Sequence, residues 1–156
     1  NTLLQQLHGQ LYMIQRNHDC FLNHREANTS RFVWIKPYAE MSDNNRKVVL
    51  CHYPILCYNS QYHLTAKGFP KTYMLYGHVH DTKDQRLVER TAVKKGVITP
   101  EQFQQITRLT VITDVQGNER HIPCNMINCF CMYSDYEPWS LDEWIQYYEN
   151  RSGARS

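Results

Sequence analysis

Three short strand-like runs, each ending abruptly in a polar cluster, constrain this chain more than any other feature. Leu11 to Ile14 (LYMI) runs into Gln15-Arg16-Asn17-His18-Asp19, Val48 to Cys51 delivers His52-Tyr53-Pro54, and Thr72 to Tyr76 (TYMLY) feeds Gly77-His78-Val79-His80. Compact apolar runs bounded by turn formers read as buried strands, and a continuous one such as Val48 to Cys51 is covered on both faces. Pro54 has no N–H and forbids further ladder pairing after the second run. Strands alternating with helices, with polar clusters at three strand ends, point to ligand binding at one edge of a sheet. The expected class is α/β, a layered domain with its chemistry at the strand ends.

The remaining elements fit that class. Phe32 to Ile35 reads as a strand stopped by Lys36-Pro37, and Ser42-Asp43-Asn44-Asn45 supplies turn residues before Lys47 to Cys51, the pattern of a hairpin. A short helix is expected over Gln61 to Lys67, broken by Gly68 and Pro70. Thr82 with Gln85 caps a helix over Lys83 to Lys95 that Gly96 stops, and Thr99-Pro100-Glu101-Gln102 opens another. Arg108 to Val115, the turn Gln116-Gly117-Asn118 and the returning segment through His121 to Met132 predict an edge hairpin and its continuation. Near the end, Ser140 and Glu143 form a capping box, Trp139 and Trp144 occupy the staple positions, and Leu141, Trp144, Ile145 and Tyr148 share one helical face.

With 156 residues, 42% of them hydrophobic and 21% charged, the chain is long enough to bury a core without a disulfide or a structural metal. Residues 1–150 are expected to form one domain and 151–156 a frayed tail. A net charge of +2 is too balanced to advertise nucleic-acid binding. No apolar run approaches the length of a membrane span and no secretory pattern opens the chain, so no membrane partner and a cytoplasmic location are expected. The six cysteines are expected to be reduced, packed thiols, and Cys129-Phe130-Cys131 has no second pair to make a structural zinc site. Asn1 to Leu7 reads as the last turns of a helix, with Leu3, Leu4 and Leu7 on one side and Gly9 as the stop, so the chain reads as the back part of something longer.

The strand-end clusters bring together Asn17, His18 and Asp19, then His52, then His78 and His80. Imidazole nitrogen with amide or carboxylate oxygen suits first-row divalent ions such as zinc, manganese and iron. A His-x-His step at a strand end would aim both rings toward neighbouring positions, with Gly77 allowing close backbone approach. His8, His24, His63 and His121 lie outside these clusters and read as surface or hydrogen-bonded residues.

In order and spacing, Gln15 to Asp19, Val48 to Pro54 (VVLCHYP) and Tyr76 to His80 (YGHVH) resemble the last three motifs of the calcineurin-like metallophosphoesterases. Tyr136 to Glu143 resembles the tail of compact bacterial or phage members, and the likeness spans roughly residues 1–145. The resemblance implies a truncated four-layer α/β/β/α metallophosphoesterase sandwich and hydrolysis of a phosphoester by water at a centre of two divalent ions, Mn, Zn or Fe. It also implies the roles. Asn17, His52 and His78 would ligate one ion, His80 the other, and His18 would be catalytic, steadying phosphate oxygens or protonating the leaving alkoxide.

The family's opening Asp-x-His and Gly-Asp motifs occur nowhere in this sequence. At most one ion is therefore strongly expected, activity would require those residues from upstream, and a homodimer or a complementary N-terminal segment is the expected protein partner. Arg16 stands where the family pattern has glycine, and is expected to strain its loop if that position needs positive φ. The alternative from another class is a non-catalytic metal-binding or interaction scaffold on a degenerate phosphoesterase fold.

Overall fold

The computed structural model describes residues 2–24, 28–66, 69–86, 88, 110–113, 119–122 and 125–153. It has mixed α/β content, with parallel and antiparallel strands. After helix α1 (Thr2–Gln6) come strands β1 (Leu11–Ile14), β2 (Phe32–Lys36), β3 (Tyr38–Asp43), β4 (Arg46–Cys51) and β5 (Thr72–Tyr76). Next are strands β6 (Thr110–Thr113), β7 (Glu119–Ile122) and β8 (Met126–Asn128), and helix α2 (Leu141–Gly153) ends the described chain.

The main sheet has four strands in the order β3-β4-β5-β8, antiparallel at its first pair and parallel at the other two. Its centre matches the expectation of burial on both faces. In β4, Val48 and Val49 are adjacent and therefore point to opposite faces, yet both are buried. In β5, Thr72, Met74 and Tyr76 alternate with half-buried Tyr73 and Leu75. Val49, Met74, Tyr76, Tyr58 and Val79 make the core cluster, with Cys51, Ile55, Val88 and Met126 packed on it.

The expected hairpin exists, but its first strand is β3. Asn44 and Asn45 lie at φ 47° and 64°, the two positive values that a two-residue type I′ turn demands and that asparagine tolerates. Phe32 to Ile35 belongs elsewhere: it pairs in parallel with β1, in a separate two-stranded sheet. Pro37 interrupts the ladder between β2 and β3, which is why two strands with no loop between them serve two sheets. Strand β3 carries little sequence signal because it is an edge strand in which Ala39 alone is buried.

Other expectations need correction. Residues 61–66 form turns rather than a helix, with Leu64 bridged to Pro70, because Gln61 turns its buried carboxamide back on the Tyr58 N–H and Ser60 sits at φ 60°. Strands β6 and β7 do pair antiparallel, and β8 joins β5 in the main sheet. Thr82 opens a helical turn at residues 83–86, and its hydroxyl accepts from the Asp84 N–H at 3.2 Å. Gln85 turns inward instead of completing the box. The rest of that expected helix, the one opened by Thr99, the turn at Gln116 to Asn118 and Cys124 lie outside the described residues. The described cysteines are free thiols, as expected. Cys20, Cys57 and Cys131 are nevertheless exposed rather than packed, whereas burial pushes the Cys129 thiol up to about 12.

At the amino end, Gly9 takes φ 83° as the stop after α1, and Arg31 donates to the carbonyls of Leu7 and Gly9 at 2.5 and 3.0 Å. At the other end the capping box forms as expected. Ser140 N–H donates to Glu143 Oε2 at 2.6 Å, and Glu143 N–H returns to Ser140 Oγ at 3.3 Å. Trp139 and Trp144 staple the turn with ring centroids 4.8 Å apart, and α2 continues through Gly153, past the point where the sequence suggested fraying. Arg46 pairs with Asp43 in the hairpin and with Asp142 in the first turn of α2, tying the helix to the sheet edge. Among the described residues no helix is long and apolar enough to cross a membrane.

Two stability measurements test these contacts. Ser140→Ala removes the cap and is expected to cost about 1 kcal/mol in a denaturant titration. On β3, Glu40 is held down to about 2 by hydrogen bonds from Lys47, Tyr38 and Asn59. A carboxylate lowered in the folded state adds stability that is complete above its unfolded value of 4.5 and is lost as pH falls toward 2. Because the group is solvent-facing the effect is modest: Glu40→Gln should unfold at lower denaturant than the parent at pH 7, with the gap closing on acidification. A gap that persists at pH 2 contradicts this origin.

Candidate functional site

Strands β4 and β5 are parallel, so both finish at the same edge of the sheet. The ladder is extended one step beyond them by the Gly77 N–H, which donates to the His52 carbonyl at 3.0 Å. His52 thus faces Gly77, and the ring of His78, one residue further on, stands beside the His52 ring with centroids 5.0 Å apart. The turn after β1 reaches the same place from the other sheet and supplies Asn17.

Three of the expected residues converge on one point. His52 Nε2 lies 2.9 Å from Asn17 Oδ1 and 3.2 Å from His78 Nδ1. An imidazole nitrogen carries one proton or one lone pair, never both. If His52 Nε2 is protonated, its single hydrogen is claimed by Asn17 and by His78; if it is bare, its single lone pair faces both. Whichever way the Asn17 carboxamide is turned, two well-formed hydrogen bonds cannot be directed at that nitrogen. A cation accepted by all three lone pairs removes the conflict. The spacing fits as well: donors about 2.0–2.1 Å from an ion stand about 3.0 Å apart at right angles and about 3.4 Å apart at the tetrahedral angle. Asn17 Oδ1 and His78 Nδ1 each stand at such a spacing from His52 Nε2, so these are the residues that could offer a divalent metal one oxygen and two nitrogens.

Electrostatics favour the ligating form. Burial, then the charges of His78, Arg16 and His80, lower the His52 pKa below the ordinary imidazole range, while Asp19 acts in the opposite direction. The neutral ring that results offers a lone pair to a cation. Tyr53 packs against both histidines, with its ring centroid 4.5 Å from that of His78 and 5.1 Å from that of His52. It is half-exposed beside the donors and is not among the residues singled out from the sequence, although its position next to His52 is the available signal.

His80 and His18 stand outside this convergence. The step from His78 to His80 is not a strand continuation, since β5 ends at Tyr76. The Val79 N–H donates to the Gly77 carbonyl at 2.7 Å around His78 at φ 59°, and His80 comes next at φ 48°. A three-residue turn with a positive central φ is the rare, strained form, at about 1–3 kcal/mol for such a residue. The His80 ring stacks on Phe130 at 4.7 Å, beside the convergence rather than in it, and its charge still acts on His52. The expected special role of Gly77 also moves. Its φ is ordinary, and a Cβ there would meet the nearest atom, His52 Nδ1, at 3.6 Å, so the unusual backbone belongs to the two histidines. His18 is exposed and, among the described residues, has no hydrogen bond or ion pair.

Arg16 does not strain its loop. It lies outside the positive-φ region and instead grips the buried Asp19: its backbone N–H and its Nε donate to the two carboxylate oxygens at 2.8 and 2.7 Å. Asp19 is thereby committed to shaping the turn that presents Asn17. Among the described residues no group of three or more His, Cys, Asp or Glu is arranged to hold a metal, so the donor set at His52 depends on an amide oxygen. Compared with protein-family models, with curated proteins and with solved structures, the chain matches none.

Proposed function

We propose that this chain carries one ion-binding half of a divalent-metal-dependent phosphoester hydrolase of the calcineurin-like type, on a truncated four-layer α/β/β/α sandwich. The observation that carries this reading is the meeting of Asn17, His52 and His78 around one nitrogen at 2.9 and 3.2 Å. Those three residues would hold the ion, Mn, Zn or Fe. A bound divalent cation supplies Lewis acidity toward a phosphoryl oxygen and makes a nearby water more acidic. The chain's own residues bind and orient. His52 and His78 present ring nitrogens from adjacent strand ends, and Asn17 presents an oxygen from a turn locked by Arg16 and Asp19. His18, on the same turn, is free to meet a phosphate oxygen or to give a proton to the departing alkoxide. His80 would serve a second ion through an in-plane ring nitrogen, which a face-to-face stack on Phe130 leaves open.

A second reading is favoured by one specific observation. Asp19 is the carboxylate nearest to the asparagine in the chain, and it is buried against Arg16 rather than offered to an ion. A three-donor site built only of neutral groups suits a scaffold that holds a single ion. Under both readings ion binding at Asn17, His52 and His78 is common, and turnover separates them.

At a free Mn2+ concentration a hundredfold above its dissociation constant, the folded chain should gain about 2.7 kcal/mol, read as a rise in thermal midpoint. His52→Ala should abolish that rise, and an undiminished shift in the variant removes the assignment. When residues bearing Asp-x-His and Gly-Asp are joined upstream, Mn2+-dependent hydrolysis of an aryl phosphate is expected. His78→Ala should then lower kcat at least about a hundredfold, equivalent to about 2.7 kcal/mol of barrier. Ion binding without turnover in the extended chain selects the scaffold.

A further inference from the structure

The His78 turn is pinned at both ends. Its leading end is tied to β4 through the Gly77 N–H and the His52 carbonyl. Its trailing end is tied to β8, where the Asn128 Nδ2 donates to the His80 carbonyl at 2.8 Å. Between them the Val79 carbonyl accepts from Thr82 Oγ1 at 2.6 Å, a bond made within the turn's own continuation. The Asn128 bond therefore fixes the trailing end to the sheet itself.

Asn128 is built to hold that bond. Its side chain is fully buried at the end of β8. Its carboxamide is oriented by a second bond to Gln85 Oε1 at 3.0 Å, and Gln85 is in turn held by the Tyr76 hydroxyl at 2.9 Å. Its backbone is clamped on both polar groups by Tyr148, whose hydroxyl accepts from the Asn128 N–H and donates to its carbonyl, each at 3.1 Å. A buried carboxamide is costly in such a place unless its hydrogen bonds are required, and its Oδ1 has no partner among the described residues. The two donated bonds are its evident use. A loop with positive φ at His78 and His80 relaxes unless its surroundings over-determine it.

We infer that Asn128 is a positioning residue for the His52 and His78 pair: its buried amide ties the end of the His78 turn to the sheet and so holds the His78 ring against His52 Nε2. The inference rests on the ion-binding reading only for its consequence on affinity, since the ring placement exists without metal.

The test uses the full chain, free of metal and labelled at histidine, and reads the nuclear Overhauser effect between the His52 and His78 rings, with a calorimetric Zn2+ titration as the second readout. In Asn128→Ala the ring-to-ring effect should vanish and the Zn2+ dissociation constant should rise about 10- to 100-fold, the range typical for partners that orient metal ligands. Gln85→Leu, which removes one of the two acceptors that orient the carboxamide, should move both readouts in the same direction by less. Tyr148→Phe, which loosens the backbone clamp but leaves the carboxamide bonds, should lower the unfolding midpoint and leave the ring contact in place.

Persistence of the ring contact in Asn128→Ala overturns the inference, and if that variant does not unfold cooperatively the same outcome in Gln85→Leu does so. An equal loss of ring contact in Tyr148→Phe also overturns it, because the effect then tracks stability rather than the tether. If the parent chain shows the contact and binds no Zn2+, the ion-binding reading fails while Asn128 is still judged by the contact.

Discussion

The parallel pairing of β4 with β5 is the constraint on which the rest depends. Neighbouring strands in a sheet lie about 4.8 Å apart. Carried past the strand ends, the register of that pairing sets His52 opposite Gly77, and the turn at His78 brings the next ring beside His52 with centroids 5.0 Å apart. Hydrophobic burial supplies the rigidity. Val49 and Met74 are fully buried opposite one another in the register, so a slip of β5, whose buried residues alternate, would unseat Met74 from the core as well as move the His78 turn past His52. Packing and site geometry are thus set by the same register, and neither can be altered alone.

The third donor comes by a different route, which explains why it needs its own support. Asn17 lies in a turn beyond β1, in a sheet that shares no ladder with β4. Nothing in the main sheet's hydrogen bonding fixes it. The Arg16 and Asp19 pair does so locally, closing the turn with two bonds to one buried carboxylate. Arg16 therefore stiffens this loop through its side-chain bond to Asp19.

The strand ends are legible in the sequence because their signal is strong and local: continuous apolar runs that stop at once in His, Asn or Pro. The capping box at Ser140 and the two-residue turn at Asn44 and Asn45 are equally visible, since each depends on a few adjacent side chains. Strand β3 is not, because an edge strand faces water and need not alternate. The partner of Phe32 to Ile35 escapes a local reading because pairing is a long-range property that a hairpin-like spacing imitates. The fate of His80 is hidden for a similar reason. Its direction is set by the backbone at His78 and by Phe130 and Asn128, which lie about fifty residues downstream. Three of the site residues come together on a reading of strand ends, whereas His18 and His80 depend on turns that no spacing rule contains.

Charge gives the proposed site its most specific character. A carboxamide and two imidazoles would bring no negative charge to an ion, and Asp19 is turned to Arg16 instead. An ion held by such a set keeps its full positive charge, unlike one surrounded by carboxylates or thiolates. The missing negative charge must then come from outside the set, from an acidic residue supplied by another segment or from the ligand itself. A phosphoester brings anionic oxygens that are hard donors suited to divalent metals. Under the proposed reading the neutral half-site therefore favours an anionic oxygen ligand over a neutral one, and a supplied bridging carboxylate would strengthen metal binding while weakening that preference. The two readings of the chain differ in which of these sources of charge completes the site.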